Sequence, residues 1–252
     1  MDSNVYGDQA SVVELLWGLR EPPSRGPKPT LSVERIARVA MEIADTDGLA
    51  AVSMQRVAGE LEFTKMALYR YVSGKSELLA VMIELAVGDP LDLSGFPGGW
   101  RPRIEEFARQ LSLVWQRHSW LPWATLGDRV MGPRELGWIE SAVGCLSDTG
   151  LTGTEQMDAV FVLFGHIRNT QSMSAAGTQP WDSGKNITPI MRDLLSGHSD
   201  RYPALTAATS SVNGSASHDN GRAFGLERIL DGMEKLISQR AGSHQAQDHR
   251  PV

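Results

Sequence analysis

Between Ser53 and Lys75 the chain reads S-M-Q-R-V-A-G-E-L-E-F-T-K-M-A-L-Y-R-Y-V-S-G-K, setting Lys65, Arg70 and Lys75 around Tyr69. The chemistry open to these side chains is non-covalent recognition of an anionic polymer. Lys65 and Arg70 can donate to guanine O6 and N7, and Met66 can meet a thymine methyl. Thr64 can cap a helix and donate to a phosphate, and a helix N-terminus itself favours anions.

Two short helices joined by a tight turn would hold these groups. Val57, Ala58 and Leu61 form a narrow apolar stripe on the first, and Ala58 is small enough for a close crossing. On the second, Leu68 and Val72 lie one turn apart and point inward, with Phe63 packing beneath them. Lys65, Met66, Tyr69 and Arg70 are left facing outward. A helix this short cannot stand alone in water, so the face it exposes is free for another task. The pattern is a helix-turn-helix with Thr64 to Tyr71 as recognition helix. A merely solvated cationic face is the ordinary alternative; the exposed tyrosine among the cations, and Lys75 opening the next helix, favour recognition.

Catalytic and metal chemistries find less support. Gly74-Lys75-Ser76 and Gly184-Lys185 carry the last residues of a phosphate-binding loop. The first has Tyr69 and the second Gln179 where the opening glycine belongs, and Asn186 replaces the metal-binding hydroxyl in the second. Gly197-His198-Ser199-Asp200 holds the residue types of a hydrolase triad, but neighbouring side chains diverge. The six histidines never pair at the spacing of a helical zinc site. The single cysteine, Cys145, excludes an intrachain disulfide framework and is expected in the core. No catalytic residue, metal site or cofactor is expected.

The 252 residues carry a formal net charge of −6, so a nucleic-acid reader of this composition must use a local basic patch with its acidic excess elsewhere. No apolar run reaches the roughly 18 residues a membrane span requires, and no signal-peptide pattern opens the chain. A cytoplasmic protein with no membrane partner is expected.

The stretch V-S-M-Q-R-V-A-G-E-L-E-F-T-K-M-A-L-Y-R-Y-V-S-G-K-S-E-L-L resembles the DNA-binding domain of the tetracycline-repressor (TetR) family, over roughly Leu31 to Ala86. The resemblance implies that Gln55, Lys65 and Met66 face bases while Ser53, Tyr69 and Lys75 hold phosphates. It departs at the turn, where the family usually has glycine and this chain has Glu62. In a left-handed conformation Glu62 would bear about 1 kcal/mol or more of strain. Its carboxylate would also lower affinity for DNA.

The remaining chain is expected to be helical throughout, giving an all-α fold. An N-terminal three-helix DNA-binding domain (31–88) would precede a helical ligand-binding and dimerisation domain (100–240). Residues 1–30 are expected to be a flexible arm outside the core, from which Arg25 and Lys28 would reach a minor groove or remain incidental charges. Ser32 caps a helix striped by Ile36, Val39, Ala40 and Ile43, which Gly48 ends. Lys75 to Val87 is apolar on more than one face, so a signal could pass through it. Gly88 to Gly99 marks a boundary. Beyond it come helices around Ile104–Trp115 and Leu136–Leu146. A long one, Thr154–Ala176, has a middle that is apolar all round and so expected to be buried on most sides. Two shorter helices are expected, at Thr188–Ser196 and Tyr202–Ala208. Ala223–Gln239 follows, with Leu226, Ile229, Met233 and Leu236 as a seam for a partner helix and Gly225 and Gly232 permitting close approach. A disordered tail (241–252) closes the chain.

Aromatic residues concentrate in the second domain. Trp115, His118, Trp123, Trp138, Phe161, Phe164 and Arg168 read either as ordinary core or as the lining of a ligand cavity. The family resemblance favours the cavity, with His118 or Arg168 orienting an apolar or aromatic effector. It further implies a homodimer on a double-stranded, palindromic operator, acting most simply as a ligand-released repressor. A ligand-independent regulator or activator is the first alternative, and a helical enzyme or cofactor-binding protein the second.

Overall fold

The computed structural model describes residues 3–19, 31–176, 189–210 and 220–248, which form twelve α-helices and no strand. The chain divides into two compact units, Met1–Val160 and Phe161–Val252.

In the first unit, α2 (Val33–Asp47) begins as expected, with the Ser32 hydroxyl accepting from Arg35 N at 3.1 Å. Ile36, Ala37, Ala40, Ile43 and Ala44 form its buried stripe, and Gly48 ends it at φ +83°. A short 3-10 turn (Leu49–Ala51) leads to α3 (Met54–Glu60), then α4 (Lys65–Leu68). Helix α5 (Lys75–Val87) is the axle of the unit, with nine of its thirteen side chains buried, among them Glu77 and Glu84. Such burial follows from a sequence apolar on several sides; the two carboxylates are tolerable only because each is hydrogen-bonded.

The N-terminal expectation is corrected over the described residues. Ser3–Leu16 forms helix α1, packed on α5 with Val12 buried and the Ser11 hydroxyl donating to Glu77. The Trp17 indole N–H donates to the Met131 carbonyl at 3.4 Å. The helix ends on Gly18 at φ +67°, with Leu19 N bonded to Glu14 O. Val12, Val13, Leu15 and Leu16 supply enough apolar surface to offset ordering this segment. Arg25 and Lys28 lie outside the described residues.

Helix α6 (Trp100–Arg117) buries Ile104, Phe107, Ala108, Leu111 and Trp115. It stops at His118, four residues ahead of Pro122; that proline instead sits in the first turn of α7 (Leu121–Ala124), where its missing N–H costs nothing. Helix α8 (Pro133–Gly144) is seated on α5 by its N-terminus. Glu84 Oε2 and Oε1 accept from Arg134 N (2.9 Å) and Glu135 N (3.1 Å), satisfying two otherwise orphaned donors. Trp138 Nε1 donates to Val87 O at 3.1 Å and Ser141 Oγ to Leu91 O at 2.6 Å. A Cβ at Gly132 would lie 2.2 Å from Glu84 Cδ, so a larger residue there would displace this carboxylate.

Helix α9 (Gly153–Ala176) is as long as expected but is not buried all round. Phe161 is 57% and Val162 56% exposed. In the second unit, α10 (Pro189–Gly197), α11 (Pro203–Ser210) and α12 (Asn220–Asp248) follow. The expected tail is corrected: α12 runs nine residues beyond Gln239. The run A-G-S-H-Q-A-Q contains no proline, and its alanines and glutamines are good helix formers. His166 Nε2 donates to Arg222 O at 2.9 Å, and a Cβ on Gly225 would lie 2.2 Å from His166 Cε1. Gly225 thus accommodates His166 of the same chain and not a partner helix, and nothing lies near Gly232.

Replacing Glu84 with Ala should strand the first-turn N–H groups of α8 and lower stability by about 1–3 kcal/mol. Gly132→Ala, which displaces the same carboxylate, should act in the same direction. Denaturant unfolding of the three chains checks both.

Candidate nucleic-acid interface and effector domain

The turn between α3 and α4 decides how the cationic face is presented. Helix α3 ends with Leu61 as its cap. Glu62 N then bonds to Gly59 O (3.1 Å), and Phe63 N reaches back to Ala58 O (2.9 Å). This paired closure requires a left-handed residue between the two donors. Glu62 is that residue, at φ +60°, as the missing glycine implied. Among the described residues it is the non-glycine residue with positive φ.

Past the turn, Thr64 caps α4, its hydroxyl accepting from Ala67 N at 3.3 Å. The regular part of α4 is one turn, shorter than the expected Thr64–Tyr71. The chain nevertheless stays wound, with Tyr71 N and Val72 N both bonded to Leu68 O. Leu68 and Val72 are fully buried. Ser53, Gln55, Thr64, Lys65, Met66, Tyr69, Arg70 and Lys75 are all exposed, Met66 at 71%. The Lys65 ammonium lies over the Tyr69 ring, 5.6 Å from its centroid. Ser53 caps α3 by accepting from Arg56 N at 3.2 Å, which leaves its hydroxyl proton free to donate. Lys75 opens α5, and the preceding bend is held by Ser73 N donating to Glu77 Oε2 at 2.6 Å. The candidate DNA-contacting side chains thus project from capped, buried supports.

The aromatic set separates by environment. Trp115 and Trp138 are enclosed, and Trp138 meets Phe107 edge-on at 5.7 Å between centroids. His118 is buried but engaged: its Nδ1 donates to the Asp45 carboxylate at 2.9 Å. Trp123 is corrected, since it stands 59% exposed on α7, a helix too short for its sequence to reveal an inward side. Phe161 is corrected likewise and faces outward. Phe164 and Arg168 are half-buried on α9, and beyond them Thr170, Gln171 and Ser172 are buried. A groove of about 420 Å3 lies between the 90–94 segment and α8, lined by Leu91, Arg103, Gly137, Ser141 and Cys145 among others. Another, of about 490 Å3, lies among Val33, Arg38, Val81, Leu85 and Arg134. Trp115, His118, Trp123 and Trp138 line neither. Burial pushes the Cys145 thiol up from its ordinary value, only partly countered by Arg103, which disfavours its thiolate.

The α12 seam is corrected in one respect. Met233 is buried inside the chain itself, beside a fully buried Leu230, while Leu226, Ile229 and Leu236 are half-buried. A stripe of apolar residues has the same period whether it packs within a chain or between two. Sequence reasoning also passed over Asp45, Glu77 and Glu84. The Gly132-Pro133 start of α8 signals a helix N-terminus in need of an acceptor, but not that Glu84 supplies it.

A capped helix-turn-helix that presents cations and a tyrosine, followed by further helices, is the arrangement of a DNA-binding regulator. Residues 32–82 match the N-terminal domain of bacterial regulatory proteins of the tetR family, and residues 96–237 match the tetracyclin repressor-like C-terminal domain. The HTH-type transcriptional repressor DrrR1 of Streptomyces coeruleorubidus is 35% identical over 247 residues, spanning 94% of this chain and 89% of its own. A possible TetR family transcriptional regulator of Streptomyces coelicolor A3(2) is 25% identical, with a TM-score of 0.67 over 81% of this chain and 100% of that one. The fold also matches ActR of Streptomyces coelicolor in complex with actinorhodin, at 24% identity and a TM-score of 0.69, over 83% and 99% of the chains. The chain belongs to the TetR family. It is a helix-turn-helix transcriptional regulator, and no helix among its described residues is long and apolar enough to cross a membrane.

Glu62→Gly should remove the left-handed strain, offset in part by the greater freedom of glycine in the unfolded chain. A gain of up to about 1 kcal/mol in unfolding free energy is expected, read by denaturant titration.

Proposed function

We propose that this chain is a repressor that binds a palindromic operator as a homodimer and is released by a small apolar or aromatic molecule. The observation that carries the DNA-reading part is the shared exposure of Gln55, Lys65, Met66, Tyr69, Arg70 and Lys75 around buried Leu68 and Val72. In this reading Gln55, Lys65 and Met66 meet base edges, Arg70 adds a guanidinium at the groove, and Ser53, Thr64, Tyr69 and Lys75 hold phosphates.

Dimerisation is supported by the outward apolar face of α9. Phe161 and Val162 are exposed beside Gly165, which leaves room for close approach. Exposed aromatic and β-branched side chains side by side on one helix face suit a partner surface. The half-buried α12 residues Leu226, Ile229 and Leu236 would border the same interface. Met233 belongs to the interior of the chain, so a charge there tests folding and not assembly. An effector is supported by family membership and by the ActR complex with actinorhodin. Phe164 and Arg168 of α9, both half-buried, are the proposed contacts.

Selection of duplexes from a random library by the full chain tests the central reading. Enrichment of a palindrome with half-sites about one helical turn or a multiple apart is expected, and no enrichment would overturn it. On the selected duplex, Lys75→Ala should weaken binding to all sequences alike and lower the salt slope by roughly one counterion. Lys65→Ala or Gln55→Ala should instead lose about 1–3 kcal/mol of discrimination at particular base pairs. Phe161→Glu should yield monomers by light scattering, because an unpaired charge would be buried in the interface.

A further inference from the structure

Asp45 lies in the last turn of α2, the end of a helix at which a carboxylate is disfavoured by the backbone dipole. Two donors from distant sequence make it tenable. His118, at the cap of α6, donates its Nδ1–H to Oδ1 at 2.9 Å, with Oδ2 at 3.0 Å. Trp120, at the start of α7, donates Nε1–H to Oδ1 at 2.7 Å. Both donors are buried, and their rings lie 5.8 Å apart between centroids. A carboxylate only accepts, so His118 must carry a proton on Nδ1. Two residues further on, Asp47 pairs with Arg56 of α3, whose backbone N–H is held by the Ser53 cap. The last turn of α2 thus carries one contact to the α6–α7 corner through Asp45 and another to α3 through Asp47, joined to each other by the helix backbone and not through α5.

We propose that Asp45 is a positioning residue for DNA recognition, clasping the α6–α7 corner to α2 so that the seating of α3 on DNA depends on that corner. The inference rests on the DNA-binding reading above and adds a route of coupling to it. Coupling is reciprocal: if the clasp sets how α3 is held, DNA gripping α3 must be felt at Trp120.

The test uses the full chain carrying 15N at its tryptophan indoles, titrated with the duplex enriched from a random library, with Trp120→Phe assigning the Trp120 signal. Saturating duplex is expected to shift the Trp120 indole N–H resonance. Asp45→Asn keeps the volume but turns one acceptor towards the two donors into a donor. It should abolish that response and weaken duplex binding by about tenfold or more, the scale of one lost charge-assisted hydrogen bond. A residue with a merely structural role would leave the response of Trp120 to DNA unaccounted for. Should Asp45→Asn fail to fold, Trp120→Phe removes a single donor and keeps an aromatic ring in place; it is expected to weaken duplex binding in the same direction. A Trp120 resonance unmoved by saturating duplex, or wild-type affinity in Asp45→Asn or Trp120→Phe, overturns the inference while the DNA-binding reading stands. A chain that enriches no duplex at all overturns both.

Discussion

Two carboxylates buried on one helix constrain nearly everything that touches it. Glu77 and Glu84 lie seven residues apart on α5, so they share a face two turns apart. Each is enclosed, and an enclosed carboxylate without partners would cost several kcal/mol. Glu77 meets its need with Ser73 N and the Ser11 hydroxyl, which fixes the bend after the recognition turn and pins α1. Glu84 meets its need with the first-turn amides of α8. The two ends of α5 are thereby committed to opposite tasks: one to the DNA face, the other to the sensing domain. An apolar helix in the same place could slide or rotate at the cost of repacking alone. This one must break directional bonds at both ends to move, which favours discrete positions over continuous adjustment.

The recognition turn shows the opposite economy. Its regular helix is a single turn, and what keeps it in place is the closure around Glu62 and the burial of Leu68 and Val72. A glycine at the left-handed position would make the closure easier. The glutamate instead retains strain and places a negative charge near the anionic polymer. The strain lowers stability and the charge opposes DNA binding, and neither disturbs the exposed side chains proposed to read sequence. For a repressor released by an effector, as proposed, modest affinity is a gain provided discrimination between sequences is kept.

What the sequence could reveal follows the range of the interactions involved. The Ser32 cap, the Gly48 stop, the inward Leu68 and Val72 and the left-handed Glu62 all depend on neighbours within a few residues, so spacing exposes them. Asp45 with His118, and Glu84 with Arg134, join residues 73 and 50 positions apart, for which periodicity carries no signal. Helix α1 was missed for a related reason. Its apolar residues are followed by E-P-P-S-R-G-P-K-P, which breaks helix, and only the surface of α5 shows why the preceding turns are worth ordering. The exposed Phe161 and Val162 mark a different limit: an all-round apolar helix reads as buried, but the period cannot say whether the cover comes from the same chain.

The charge distribution bears on how such a protein finds its site. Of the side chains at issue, Lys65, Arg70 and Lys75 are cationic on the DNA face, while the whole chain carries an excess of six acidic groups. Screening over about 8 Å at physiological salt lets the basic face act locally, yet a duplex approaching elsewhere meets net repulsion. Binding to arbitrary sequence is almost wholly electrostatic and scales with the phosphates neutralised. In the proposed reading, base-edge contacts from Gln55, Lys65 and Met66 add only when the matching sequence is present. A weaker electrostatic term lowers operator and bulk binding through this face by the same factor, so discrimination rests on the base-edge contacts. What the acidic body adds is repulsion of a duplex from every other face, which removes binding modes that carry no sequence information.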